Sequence, residues 1–136
     1  MTRPQALLVD DSRAIRKIVG RMMIDLGFDV CEADNGISAL DVLAGPVSVD
    51  LALVDWNMPE MNGVEFLREV RASERWADLP LVMVTSETGL DHISEALAAG
   101  ASEYIMKPFD RMVVEEKLQL LGFETSSQSS PDRQAR

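Results

Sequence analysis

At 136 residues, with 46% hydrophobic and 26% charged residues, the chain has the length and composition of one globular domain that buries roughly two-thirds of its unfolded surface. A net charge of −10 excludes a binder of nucleic-acid backbones, whose affinity rests on Lys and Arg neutralising phosphates. The single cysteine, Cys31, excludes an internal disulfide; no signal-peptide pattern and no apolar run approaching ~18 residues is found, so a cytoplasmic protein without a membrane span is expected.

Ala6-Leu7-Leu8-Val9 is a short apolar run that stops on Asp10-Asp11, a strand with acid at its end. Ser12 can cap the following helix, in which Ile15, Ile18, Val19, Met22 and Leu26 recur at helical spacing and Gly27 supplies the stop. Phe28 to Ala33 reads as a second strand, with Cys31 as a small core residue rather than a reactive thiol. Asp34-Asn35-Gly36 reads as a turn, and a helix from Ile37 to Ala44 ends at Gly45-Pro46. Leu51 to Val54 is apolar without alternation, the pattern of a strand covered on both faces, and it ends on Asp55. Pro59 and Asn62-Gly63 then read as loop.

The second half repeats this rhythm. Val64, Phe66, Leu67 and Val70 mark a helix running to about Ser73, and the strand Leu81 to Thr85 ends on a hydroxyl. A helix from Asp91 to Ala98 stops at Gly100, Glu103 to Met106 is a fifth strand ending on Lys107-Pro108, and Asp110 caps a last helix with the stripe Val114, Leu118 and Leu121. From Glu124 the composition is that of a disordered tail, giving a domain over residues 1–123 and a tail over 124–136. Five strands alternating with five helices imply right-handed crossovers and a doubly wound parallel sheet. Ligands of such α/β sheets sit outside the carboxyl ends of the strands, which here carry Asp10, Asp11, Asp55, Thr85 and Lys107.

Those residue types define a chemistry. Carboxylates ~4 Å apart repel by about 4 kcal/mol at an effective dielectric of ~20, so a cation is expected among them. Oxygen-only ligands with room for water and phosphate suit Mg²⁺ better than zinc. The three carboxylates are then balanced by Mg²⁺ and the Lys107 ammonium, and an arriving phosphoryl group meets a neutral site. In-line attack of the Asp55 carboxylate on phosphorus would give an acyl phosphate whose equatorial oxygens are held by Mg²⁺, Lys107 and the Thr85 hydroxyl.

Val9-Asp10-Asp11-Ser12, Asp34-Asn35-Gly36, Asp55-Trp56-Asn57-Met58-Pro59, Asn62-Gly63, Thr85-Ser86 and Tyr104 to Phe109 together resemble the receiver domain of two-component response regulators over about residues 5 to 122. Asp-Trp-Asn-Met-Pro is especially similar to the CheY-like, stand-alone chemotaxis regulators of that family. The resemblance implies a flavodoxin-like fold with strand order 2-1-3-4-5. It also implies that a histidine kinase phosphorylates Asp55, that Asp11, Asp55 and the Asn57 backbone carbonyl ligate Mg²⁺, and that Asp10 reaches the ion through water. Lys107-Pro108 would be a cis peptide. Asn57 and Glu87 would tune the phosphoryl lifetime, with types that imply a short one; Thr85 and Tyr104 would switch the surface of the fourth helix, fifth strand and fifth helix. That face would include Val113, Lys117 and Leu120. Such a protein is a phosphoacceptor that promotes its own phosphotransfer and dephosphorylation, not an enzyme in the ordinary sense, and is expected as a monomer.

Other functions leave other signatures. A flavin binder on this fold needs a Ser, Thr or Gly-rich phosphate loop after the first strand, where this chain has two acids. An Asp-nucleophile phosphatase needs a second acid two positions on, and Asn57 cannot transfer that proton. A phosphate-independent interaction module is disfavoured by the intact acid, Thr and Lys set. The outputs consistent with the sequence are docking to the flagellar motor switch, a phosphorelay step to a histidine phosphotransfer protein, and a phosphate sink. Among the remaining residues, His92 is expected as a solvated position, Met83 and Met106 as core, Trp56 at the site rim, and Trp76 at the periphery.

Overall fold

The computed structural model describes residues 3–87 and 89–125. Its elements alternate as β1 (Gln5–Val9), α1 (Arg13–Asp25), β2 (Asp29–Ala33), α2 (Gly36–Ala44), β3 (Leu51–Asp55), α3 (Gly63–Arg71), a 3₁₀ turn (Glu74–Trp76), β4 (Leu81–Thr85), α4 (Leu90–Ala99), β5 (Glu103–Met106) and α5 (Arg111–Leu120). The five strands form one parallel sheet in the order β2-β1-β3-β4-β5, as the resemblance implies.

Strand periodicity sorts the apolar residues into two cores, one on each face of the sheet. Leu7, Val9, Ala52, Val54, Leu81 and Met83 face α2, α3 and α4, which contribute Ala39, Leu43, Phe66, Leu67, Val70, Ala96 and Ala99. Ala6, Leu8, Leu51, Leu53, Val82 and Val84 face α1 and α5, which bring Val19, Met23, Val114 and Leu118. β3 and β4 are buried at every position, which explains why their sequences are apolar without alternation.

The helix starts follow side-chain capping. Ser12 accepts from the Ile15 N–H, Asn35 from Ser38 and Asp110 from Val113. Asn62 and Glu65 form a reciprocal capping box, so Asn62-Gly63, expected as loop, is the start of α3. At the opposite edge of the sheet, Arg71 at the end of α3 donates from Nε and Nη2 to the Gly100 carbonyl at 3.0 and 2.9 Å, and from Nη1 to the Trp76 carbonyl at 2.8 Å. Gly100 ends α4 at φ 116, and a Cβ there would lie 2.4 Å from Arg71 Cγ, so glycine is required by conformation and by space.

Two expectations, Ile18 and Met106 as core, are corrected by the packing. Ile18 is 54% exposed because the buried stripe of α1 runs through Val19, Gly20 and Met23 instead. Met106 is 43% exposed: β5 is an edge strand buried only at Tyr104 and Ile105. Cys31 is half-buried, its thiol donating to the Ala6 carbonyl at 3.6 Å, and burial pushes its pKa up. Of the expected tail, residues 126–136 lie outside the described residues; Thr125 lies against α5, its hydroxyl donating to Glu115 Oε2 at 2.6 Å and accepting from Gln119 at 3.2 Å. Among the described residues, no helix is long and apolar enough to cross a membrane.

Candidate functional site

Asp10 emerges from β1 with its backbone held from two sides. Its N–H donates to the Ala33 carbonyl at 3.1 Å, and its carbonyl accepts from Arg16 Nη1 at 2.6 Å. The side chain accepts from the Ser12 N–H at 2.8 Å, which aims the carboxylate back over the sheet edge. Arg16 is fixed in turn by Glu32 at 2.8 Å. Sequence reading did not single out Arg16, because a basic residue on a helix start reads as solvated.

Asp55 is the last residue of β3, and the chain after it is shaped by Gly63. The Gly63 N–H donates to the Trp56 carbonyl at 2.8 Å, and a Cβ at position 63 would lie 2.4 Å from the Asp55 carbonyl oxygen. Only glycine lets the first turn of α3 approach the acid-bearing backbone so closely. Between them Met61 N–H closes on the Pro59 carbonyl at 2.7 Å around Glu60, whose φ is 68, a rare γ-turn that returns the chain in three residues.

Asp10, Asp11 and Asp55 offer carboxylate oxygens that all lie within 4.8 Å of one another. Asp10 and Asp55 are each only 8% exposed, whereas Asp11 is exposed. Lys107 reaches in from the end of β5, its Nζ 3.3 Å from Asp10 Oδ2 and 3.3 Å from Asp55 Oδ1, ahead of a cis Lys107-Pro108 peptide. Burial, and next the Asp10 charge, push the Asp55 pKa above its ordinary value, and Lys107 only partly offsets them. One ammonium against three carboxylates leaves the cluster short of positive charge, and its all-oxygen donor set fits a hard divalent cation.

Thr85 ends β4 one register step beyond Val84, the partner of Asp55 across the sheet. Its side chain is fully buried, with Oγ1 accepting from the Glu87 N–H at 3.0 Å. Glu87 ties three elements together. Its Oε2 accepts from Asn57 Nδ2 at 3.4 Å, its Oε1 lies 3.2 Å from His92 Nε2, and its backbone carbonyl accepts from Tyr104 Oη at 2.5 Å. Tyr104 is thus buried and turned toward the loop after β4, where desolvation and then the Glu87 charge push its pKa up. His92, expected as solvated, also stands edge-on to the Trp56 ring at 5.2 Å and 78°. Trp56 is largely buried, while Trp76 lies under Arg75 near the opposite edge. Nothing in helical periodicity marks His92; a histidine in the first turn of a helix whose preceding loop adjoins the site is the signal available.

On the face around α4, β5 and α5, Val113 and Leu120 are exposed, and Lys117 pairs with Glu103 at 2.9 Å. Leu90, Leu97, Met106 and Met112 add exposed apolar surface beyond what the sequence reading assigned.

Comparison with known proteins agrees with this geometry. Residues 6–119 match the family model described as response regulator receiver domain. The chain is 45% identical over 114 residues to a chemotaxis protein CheY homolog of Campylobacter jejuni, covering 83% of this chain and 88% of that protein. It is likewise 45% identical over 114 residues to chemotaxis protein CheY of Pseudomonas aeruginosa, covering 83% and 91%. Among solved structures, Vibrio cholerae chemotaxis protein CheY4 superposes with a TM-score of 0.83 at 33% identity, over 88% of this chain and 99% of that one.

Proposed function

We propose, from the premise that this chain belongs to the response regulator receiver domain family, that it is a chemotaxis response regulator switched by phosphorylation of Asp55. The donor is a phosphohistidine of a histidine kinase. An Asp55 carboxylate oxygen attacks phosphorus in line as the phosphorus–nitrogen bond to the kinase histidine breaks, leaving an acyl phosphate on Asp55. Asp11, Asp55 and the Asn57 backbone carbonyl, with Asp10 through water, would hold Mg²⁺, which when bound neutralises charge on the transferring oxygens. The Lys107 ammonium and the Thr85 hydroxyl bind two of those oxygens. Asn57 and Glu87 admit and orient the water that later attacks phosphorus, so the phosphoryl group is short-lived.

The switch follows from the same contacts. The Thr85 hydroxyl releases the Glu87 N–H and turns to donate to a phosphoryl oxygen, which redraws the loop that Tyr104 holds and reshapes the α4-β5-α5 surface. The exposed Val113, Leu120 and Met112 suit that surface to a protein partner, in this reading the flagellar motor switch. The observation that carries the proposal is the meeting of Asp10, Asp11 and Asp55 within 4.8 Å, with Lys107 at 3.3 Å from two of them.

Intact-mass measurement after adding a small phosphodonor tests it. A single Mg²⁺-dependent phosphoryl adduct is expected on the native chain and none on Asp55→Asn; no adduct on a folded native chain would overturn the reading.

A further inference from the structure

We propose that His92 is a positioning residue for phosphoryl hydrolysis, acting through Glu87; the inference rests on the receiver function above and deepens it. His92 Nε2 stands 3.2 Å from Glu87 Oε1, close enough for an imidazole N–H to attract the carboxylate. That contact and the hydrogen bond from Asn57 Nδ2 take opposite oxygens of the same carboxylate, holding it between the loop after β3 and the first turn of α4. Glu87 is therefore held beside the residues that follow Asp55, where an attacking water must arrive.

Charge makes the second tether necessary. A phosphoryl group on Asp55 is a strong anion that repels a nearby carboxylate, and Glu87, with a third of its side chain exposed, has solvent to escape into. The amide of Asn57 is a neutral donor at 3.4 Å, a weak hold against that repulsion. His92 supplies a closer contact that becomes charge-assisted when the imidazole carries a proton, and its ring packs against Trp56, the neighbour of the acceptor. Removing the imidazole donor frees Glu87 from the mouth of the site and slows water attack. Because His92 belongs to α4, it also makes the rate of phosphoryl loss depend on where that helix stands.

The test is a double-mutant cycle read as adduct decay by intact mass, with His92→Phe chosen to keep the ring on Trp56 and lose the Nε2 donor. His92→Phe is expected to lengthen the phosphoryl lifetime roughly fivefold. In the Glu87→Ala background the same substitution should change it by less than about twofold. His92→Gln, which can donate again, should recover part of the native rate. An equal slowing in both backgrounds, as a purely structural effect would give, overturns the proposal, and so does a native lifetime in His92→Phe. Failure of the native chain to form any adduct would instead strike at the receiver function itself and take this inference with it.

Discussion

The two sides of the site are built in opposite ways. The acid side is braced: Asp10 has hydrogen bonds on its N–H, its carbonyl and its carboxylate, and Asp55 is backed by the α3 start, which is capped reciprocally by Asn62 and Glu65 and seated on the strand through Gly63. The β4–α4 side is held differently, by side-chain contacts that bridge separate elements. α4 starts at Gly89 with no side-chain cap, and the loop before it hangs from Thr85 Oγ1, Tyr104 Oη and the Glu87 carboxylate. Chemistry that needs fixed oxygens has been placed on the first side, and a change of contacts that needs little energy on the second. In the function proposed above, the first side is the rigid receptor for the phosphoryl group and the second its soft reporter, on one sheet edge.

Three substitutions break or sharpen this contrast. Gly63→Ala attacks the braced side directly, since the new methyl meets the Asp55 carbonyl at 2.4 Å. A loss of about 2–3 kcal/mol in urea unfolding is expected, together with much slower phosphoryl uptake. A fully stable Gly63→Ala protein would show that the acid side is not held by this approach.

Asp55→Asn is expected to act in the other direction, raising the stability of the metal-free protein by about 1–2 kcal/mol at neutral pH, because it removes one of the crowded buried charges. The sign with pH follows from the raised pKa of Asp55. Its folded-state pKa exceeds the unfolded one, so ionisation costs stability above that value and the cost is relieved as pH falls through it. The advantage of Asp55→Asn should therefore shrink as pH falls from the folded-state pKa of Asp55 toward its unfolded one; thermal melts taken as a function of pH read it. Tyr104→Phe probes the soft side and should cost less, about 0.5–1 kcal/mol. Its larger effect is expected in faster hydrogen exchange of the Glu87 amide, which is bonded to Thr85.

What the sequence made legible follows the same division. Asp10, Asp11, Asp55, Thr85 and Lys107 were readable because each sits at the end of an apolar run, and parallel strands deliver their ends to one edge. Contacts that depend on side-chain direction were not. Met106 closes a strand and reads as core, yet only an edge position decides that it faces out. Asn62-Gly63 carries turn residues that serve equally as a helix cap and a close-packed start. His92 and Arg16 find their partners across the sheet edge, through Glu87, Trp56, Glu32 and the Asp10 backbone, none of which local periodicity encodes.

The clamp that Arg71 places on Gly100 gives α4 the mechanics of a lever. Arg71 holds the helix at its far end, so a swing about Gly100 is the motion that disturbs this clamp least. Ten residues make an arm of about 15 Å, and a tilt of ~10° would carry the first turn through about 2–3 Å while leaving the last turn in place. A change of hydrogen bonding at Thr85 acts at the end of the arm farthest from this pivot. The exposed Leu90, at the moving tip, would travel furthest of any apolar side chain on the helix.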